Sequence, residues 1–419
     1  MNVIRLKYIK ILVMVIMAFF VVIELDNSFS KSIYGMPDSE TTIKVKSNVM
    51  FIKTHKTGSS TLGGLFYLYG IRKKFNFVLF PYTNKLSEVG VEDKGSLIPP
   101  RHGQNYNMQI QHAVFNPDFE HNVLPKNRTF YTTVVRSPIG NFKSSFVFFG
   151  HEEELRKTYK NQDKYPFDEL ADMYLDKICK DYKLTDNVKI GDGCLLINSA
   201  ASDLGWRRLT ASMQSDTIQE RIDQFIKMLD TEFDLVMITD RMDESLVVLK
   251  ELMNWEMKDI LFLNQKTSAK KPNTDLSTRT ERKILDRMSI DSQIFNHFNT
   301  KLDTQIDNLG KERIEQSVMK FRSMRQSFED RCYDKKKGVG KYCVGCADHF
   351  MENVVGWQLS EYGKTENPSC AFLNSEFSNY CRAISDLQLS HDYTDIKFQY
   401  QTSPEDVRMR KIIQKMKWG

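Results

Sequence analysis

Phe51-Ile52-Lys53-Thr54-His55-Lys56-Thr57-Gly58-Ser59-Ser60-Thr61 is the stretch on which the fold of this chain turns. Its apolar start joins Val49 and Met50 in a run that reads as a buried strand, Val49 to Lys53. After it, Leu62, Leu65, Phe66 and Tyr69 recur at helical spacing, so Thr61 to Tyr69 reads as a helix with Gly70 as its stop. Between them lies a polar, cationic turn. Backbone N–H groups at such a strand-to-helix turn have no helical partner and point at whatever docks there. Gly58 permits close approach, Thr57, Ser59, Ser60 and Thr61 offer hydroxyls, and Lys53 and Lys56 bring positive charge. On these grounds the segment is an oxyanion-binding loop. The plainer reading is an ordinary turn with a serine cap, but two lysines and a histidine among that row of hydroxyls exceed what a cap requires. The nucleotide-triphosphate pattern GxxxxGK(S/T) puts its lysine after the last glycine. Here Lys56 precedes Gly58, which points away from a magnesium-dependent kinase.

Working outward, two more strand-then-helix units appear. Phe130 to Val135 closes at Arg136, Pro138 stands where a helix could start, and Phe142, Ser145, Phe146 and Phe149 have helical spacing before Gly150. Phe233 to Thr239 is the third strand, with Asp243 as the cap of a helix from Glu244 to Met253. Apolar strands alternating with amphipathic helices predict an α/β fold, a mostly parallel sheet flanked by helices. Ligands of such sheets bind at the carboxyl ends of strands. Lys53–Thr61 and Arg136–Ser145 are both expected there. Arg136 and Ser144, about two helical turns on, could grip one phosphate between them, with Ser145 as the fallback hydroxyl.

The 419 residues are 41 % hydrophobic and 27 % charged, an ordinary globular balance. Lys+Arg minus Asp+Glu is 59 − 54 = +5, too little to indicate nucleic acid as a partner. The N-terminus differs. Ile11 to Ile23 is a run of thirteen apolar residues, preceded by Arg5, Lys7 and Lys10 and followed by Glu24 and Asp26. This predicts a cytoplasmic tail (1–10), a transmembrane signal-anchor (11–25), a stem (26–47) and a lumenal body (48–419). A cleavable signal peptide is the rival reading, although no clear small-x-small site follows. Asn127-Arg128-Thr129 is an N-glycosylation acceptor. Of seven cysteines, five fall within 332–381, where disulfides are the expectation in an oxidising lumen, and the odd count leaves a thiol over. Cys343-Val344-Gly345-Cys346 invites a zinc reading, but a second ligand pair of proper spacing is missing, so no metal is assigned.

The string from Phe51 to Thr61 resembles the 5′-phosphosulfate-binding loop of sulfotransferases that use 3′-phosphoadenylyl sulfate (PAPS), and is similar to the galactose 3-O-sulfotransferase family in particular. Arg136 with Ser144 resembles the 3′-phosphate element of the same superfamily. The family usually shows Arg-Asp-Pro there, whereas this chain has Arg136-Ser137-Pro138. Phe233 to Leu246 looks like a later strand-helix unit, read as scaffold with a rim contact from Arg241. Gln111-His112 resembles a family stretch of two adjacent histidines, with Gln111 replacing the first. The resemblance covers about residues 49–265. It implies a P-loop-like sulfotransferase fold, PAPS as co-substrate with no metal required, and a galactose-terminated glycolipid or glycan as acceptor. It further implies a single-pass type II Golgi membrane protein with a lumenal catalytic domain; a homodimer is left open.

Sulfuryl transfer needs a base for the acceptor hydroxyl and cations where charge develops. His55, between two lysines that favour its neutral form, is the expected base, with His112 binding the acceptor or serving as the alternative base. Lys56 is assigned to the sulfuryl and bridging oxygens, supported by Lys53. Trp206, Arg207 and Arg208 are candidates for sugar contact. Two rival functions stay open: a lumenal sulfotransferase for another glycan, and a glycan-binding pseudoenzyme that kept the fold.

Overall fold

Four strands make the sheet on which the site is built: β1 (Asn48–Ile52), β2 (Met108–Gln109), β3 (Thr129–Val135) and β4 (Leu235–Ile238). Their order is β2-β1-β3-β4 and every pairing is parallel. All residues of β1 and β3 are buried, as strands covered on both faces require. Ile52 lies opposite Thr133, and Val135 opposite Ile238, so β1, β3 and β4 finish at one edge. The chain runs outward from β1 to β2 and then returns past β1 to β3. The crevice at that reversal, beyond the strand ends, is where open α/β sheets bind ligands.

This computed structural model describes residues 46–80, 85–86, 97–158, 165–179, 196–211, 213–263, 267–268, 274–334, 339–341, 354–375, 377–389 and 404–416. The tail (1–10), the signal-anchor (11–25), nearly all of the stem, and Cys194, Cys343 and Cys346 lie outside the described residues. Among the described residues no helix is long and apolar enough to cross a membrane.

Helix α1 (Ser59–Arg72) follows β1, and α2 (Pro138–Phe148) follows β3. Further along the chain lie two one-turn helices, α3 (Ser199–Asp203) and α4 (Trp206–Thr210), then α5 (Ile218–Glu232) with a Thr217–Glu220 capping box. After β4 come α6 (Met242–Met253), α7 (Ser289–Leu309) and α8 (Lys311–Cys332). Both α6 and α7 pack against β4. Helix α1 is covered on more than one side: Phe66 packs on Phe51 of β1 and, with Tyr69, on Trp255, and Arg72 donates to Ser369 from the C-terminal part of the chain.

Two local expectations need correction. Gly70 does not stop α1, which runs on to Arg72. A Cβ at Gly70 would lie 2.6 Å from Phe77 Cζ and 3.1 Å from Met108 Sδ, so the glycine serves close packing rather than termination. Asp243 does not cap α6, which starts at Met242 with no side-chain cap. Its carboxylate instead pairs with Arg322 and Arg325 of α8, at 2.7 and 3.1 Å.

Of the cysteines, Cys332 is bonded to Cys370, with Cα atoms 5.4 Å apart and a sequence separation of 38. That bond removes Cys332 from any zinc site. Among the described residues, no group of three or more His, Cys, Asp or Glu side chains could hold a metal ion.

Candidate active site

The turn from β1 to α1 is held open by backbone conformation. Lys56 has φ 58° and Gly58 has φ 75°, both left-handed. For glycine this is ordinary; for lysine it costs about 1–2 kcal/mol and survives only where surrounding contacts fix it. Left-handed residues in such turns line anion-binding concavities with N–H groups. No side chain caps α1 and no acidic residue stands in its first turn, so this turn brings no anion of its own to the helix dipole.

Within this turn the hydroxyls divide. Thr57 and Ser59 are buried and donate to the carbonyl of Thr54, at 3.1 and 2.6 Å. Thr54 donates in turn to the Val134 carbonyl of β3. These hydroxyls therefore brace the loop, while Ser60 and Thr61 are half-buried at the start of α1. Lys53 is buried. The ammonium of Lys56 sits 3.3 Å above the ring centroid of Phe148 on α2, a cation–π contact that fixes a flexible side chain.

The second and third turns lock onto the first. Arg136 Nη1 donates to the Lys56 carbonyl at 3.2 Å. Thr239, just past β4, places its Oγ1 2.8 Å from the Thr57 carbonyl and 3.1 Å from that of Val135. Asp240 accepts from the N–H and hydroxyl of Ser137, at 2.9 and 3.0 Å. Burial pushes the Arg136 pKa down, and Asp240 pushes it back up. The carboxylate absent at position 137 is thus supplied from the β4 turn. Among the described residues, Arg136 Nε is buried without a hydrogen-bond partner. A Cβ at Gly140 would fall 3.0 Å from that nitrogen and 2.8 Å from Ser137 Oγ, so glycine keeps the guanidinium edge clear. A buried cationic donor without a partner fits an anionic ligand such as a phosphate. Ser144 is half-buried on α2. Ser145 is buried and donates to Asn141 Oδ1 at 3.3 Å, which occupies the fallback hydroxyl.

Both histidines come together. Their rings stack with centroids 4.7 Å apart and planes 25° apart. His55 has a partner the sequence did not reveal: Asp203, the last residue of α3, lies 2.9 Å from Nδ1 and accepts the His55 backbone N–H at 2.7 Å. Asn141 holds the other side, donating to the His55 carbonyl at 2.9 Å. Neither residue lies near His55 in sequence. The only available signal for Asn141 was its place on the expected α2 face; for Asp203 there was none.

Other expectations resolve differently. Gln111 is fully buried and its Oε1 accepts the Phe80 N–H at 3.2 Å, a bracing role. Trp206 is not a sugar platform: it is buried, edge-on to Phe225 at 5.1 Å. Arg241 is not a free rim contact, because it pairs with Glu244 and, at 2.7 Å, with Asp303. Asn127 is exposed in the turn before β3, at the opposite end of that strand from Arg136.

Fold and site together define a class of α/β protein: a parallel sheet whose strand-end turns join a hydroxyl- and lysine-rich loop and a half-buried arginine to a carboxylate-backed imidazole. Comparison with known proteins makes this specific. The chain belongs to the galactose-3-O-sulfotransferase family, whose model matches residues 4–354. It is 26 % identical to mouse galactosylceramide sulfotransferase over 304 residues, covering 71 % of this chain and 66 % of that protein. The human galactosylceramide sulfotransferase is 27 % identical over 318 residues, 74 % and 69 % of the two chains. Mouse galactose-3-O-sulfotransferase 2 is 24 % identical over 298 residues, 68 % and 69 %. The chain thus spans about two thirds of the length of the curated relatives it matches.

Proposed function

We propose that this protein transfers the sulfuryl group of PAPS to the 3-hydroxyl of a galactose residue on a glycolipid or glycoprotein glycan, in the Golgi lumen, held there by its N-terminal segment. The observation that carries the reading is the junction of the two anion-binding turns, where Arg136 donates to the carbonyl of Lys56. Family membership supports the reaction class.

In this reading the N–H groups at the start of α1, with Ser60 and Thr61, hold the 5′-phosphosulfate. Thr57 and Ser59 keep the loop in shape around Gly58. Arg136 and Ser144 hold the 3′-phosphate. PAPS supplies the activated sulfuryl group. Lys56, supported by Lys53, neutralises charge that develops on the leaving phosphate, where a positioned cation acts most strongly. His55 takes the proton of the acceptor hydroxyl, and His112, stacked on it, lines the acceptor side. The pseudoenzyme reading leaned on Ser137 and Gln111. The bond of Ser137 to Asp240 and the bracing bond of Gln111 account for both departures and support the enzyme reading instead.

The test is transfer of labelled sulfate from PAPS by the full-length protein to galactosylceramide, Galβ1-3GalNAc, Galβ1-4GlcNAc and desulfated heparan. Label on a galactoside, lost in Lys56→Ala, supports the proposal. Label on heparan alone moves the substrate class. Absence of both transfer and binding of the desulfated donor PAP overturns it.

A further inference from the structure

We infer that Asp203 is the positioning residue that fixes the tautomer of His55, making Nε2 and not Nδ1 the proton-accepting nitrogen. This rests on the base role given to His55 above and deepens it.

The argument is one of donors and acceptors. Asp203 Oδ2 accepts the His55 backbone N–H at 2.7 Å, and Nδ1 lies 2.9 Å from each carboxylate oxygen. The backbone N–H can only donate, and a carboxylate can only accept. The remaining contact therefore needs a hydrogen on Nδ1. A neutral imidazole protonated there carries its lone pair on Nε2, as in other carboxylate–imidazole pairs that act as bases. The carboxylate also stabilises the imidazolium formed once the proton has been taken.

The support around Asp203 is more elaborate than a chance surface contact needs. Its helix α3 is pinned at the start by the buried Asp291, which accepts the N–H groups of Ala200 and Ala201 at 3.1 and 2.8 Å. Asn141 ties both partners at once: its Nδ2 donates to the His55 carbonyl, and its Oδ1 accepts Ser199 Oγ of α3 at 3.2 Å. The Asp203 carbonyl accepts the Phe115 N–H at 2.9 Å, joining α3 to the segment that carries His112. A carboxylate at the carbonyl end of a helix is also electrostatically misplaced, and such local violations mark positions kept for a site.

An amide at position 203 separates this role from simple packing. Asn has one acceptor oxygen, which the His55 backbone N–H claims. Its NH₂ then faces Nδ1 and demands a lone pair there, so the proton moves to Nε2. Asp203→Asn is expected to lower kcat about 100-fold or more, with acceptor KM and PAP affinity changed less than threefold. Asp203→Glu should recover part of the loss. His55→Ala should cost as much, and the double variant no more than either alone. Nitrogen-15 NMR of the histidine-labelled wild type should find His55 protonated at Nδ1, and the Asn variant at Nε2.

The wild-type spectrum keeps the test decisive even if a variant misfolds, because an Nε2-protonated neutral His55 overturns the inference. So does an Asp203→Asn enzyme within threefold of wild type beside an inactive His55→Ala. An active His55→Ala is a different outcome: it removes the base role itself, and the inference falls with it.

Discussion

Arg136 donates a hydrogen bond to the main-chain carbonyl of Lys56, across 80 residues of sequence and between two neighbouring strand ends. One guanidinium thus braces a strained lysine with Nη1, while among the described residues its buried Nε has no hydrogen-bond partner.

From this dual role, Arg136→Ala should weaken PAP binding by about 10- to 100-fold, the range set by losing hydrogen bonds to a charged group. Arg136→Lys should recover little, since an ammonium cannot reproduce the fork. Calorimetric titration with PAP measures it, and affinity within twofold of wild type would take Arg136 out of the donor site.

Two left-handed glycines should respond differently to alanine. At Gly58 the added Cβ meets only Met242 Cε at 3.5 Å and Thr239 Cγ2 at 4.0 Å, so Gly58→Ala carries the left-handed backbone cost of about 1–2 kcal/mol and little more. At Gly205 (φ 86°) the Cβ would lie 2.4 Å from the Phe115 carbonyl, a backbone atom that cannot step aside. Gly205→Ala should therefore be the more destabilising change, and should also reduce turnover by moving the His112 segment away from α3. Denaturant midpoints rank the two, and an equal loss would contradict the geometry.

Glu120 should make stability depend on pH. It is buried, and desolvation pushes its carboxyl up from 4.5 to about 8, against the opposing effect of the Asn116 N–H that it accepts at 2.9 Å. Because the folded value is raised, its contribution is fully present below about pH 4.5 and is lost as pH rises toward 8. Over that window the fold loses up to about 1.4 kcal/mol per pH unit from this group. Glu120→Gln keeps the acceptor for Asn116 and removes the titration. Its stability relative to wild type should rise steadily from pH 5 to pH 8, and a constant difference in denaturation free energy would refute this.

Asn127 tests the compartment. It is exposed, and it lies away from Arg136 at the far end of β3. Protein made through the secretory pathway should lose one glycan's mass on treatment with a peptide-N-glycosidase, and Asn127→Gln should migrate at that lower mass with sulfate transfer unchanged. An untreated wild type already at the lower mass would speak against lumenal exposure of this turn.

What the sequence made legible was what is local. A buried strand, a polar turn and a helix are contiguous from Asn48 to Arg72, and the strand-end positions of Lys56 and Arg136 follow from that pattern alone. What stayed hidden is what the fold brings from afar. Asp203 reaches His55 across 148 residues and comes from a one-turn helix. Asp240 is intermediate: the strand ending before it was expected, but its bond to Ser137 depends on β4 lying beside β3. The two-residue β2 is too short for any periodicity to announce it. Gly70 misled because a glycine at a helix end and a glycine under an aromatic ring look alike in sequence.

The Cys332–Cys370 bond makes the intervening chain a closed ring. Topologically, a single protease cut inside that ring opens it without shedding anything: the sheet-bearing body and the C-terminal helices remain one molecule until a reductant arrives. Intactness on a non-reducing gel is therefore no guarantee of an uncut backbone in this protein, and only the reduced lane reports it.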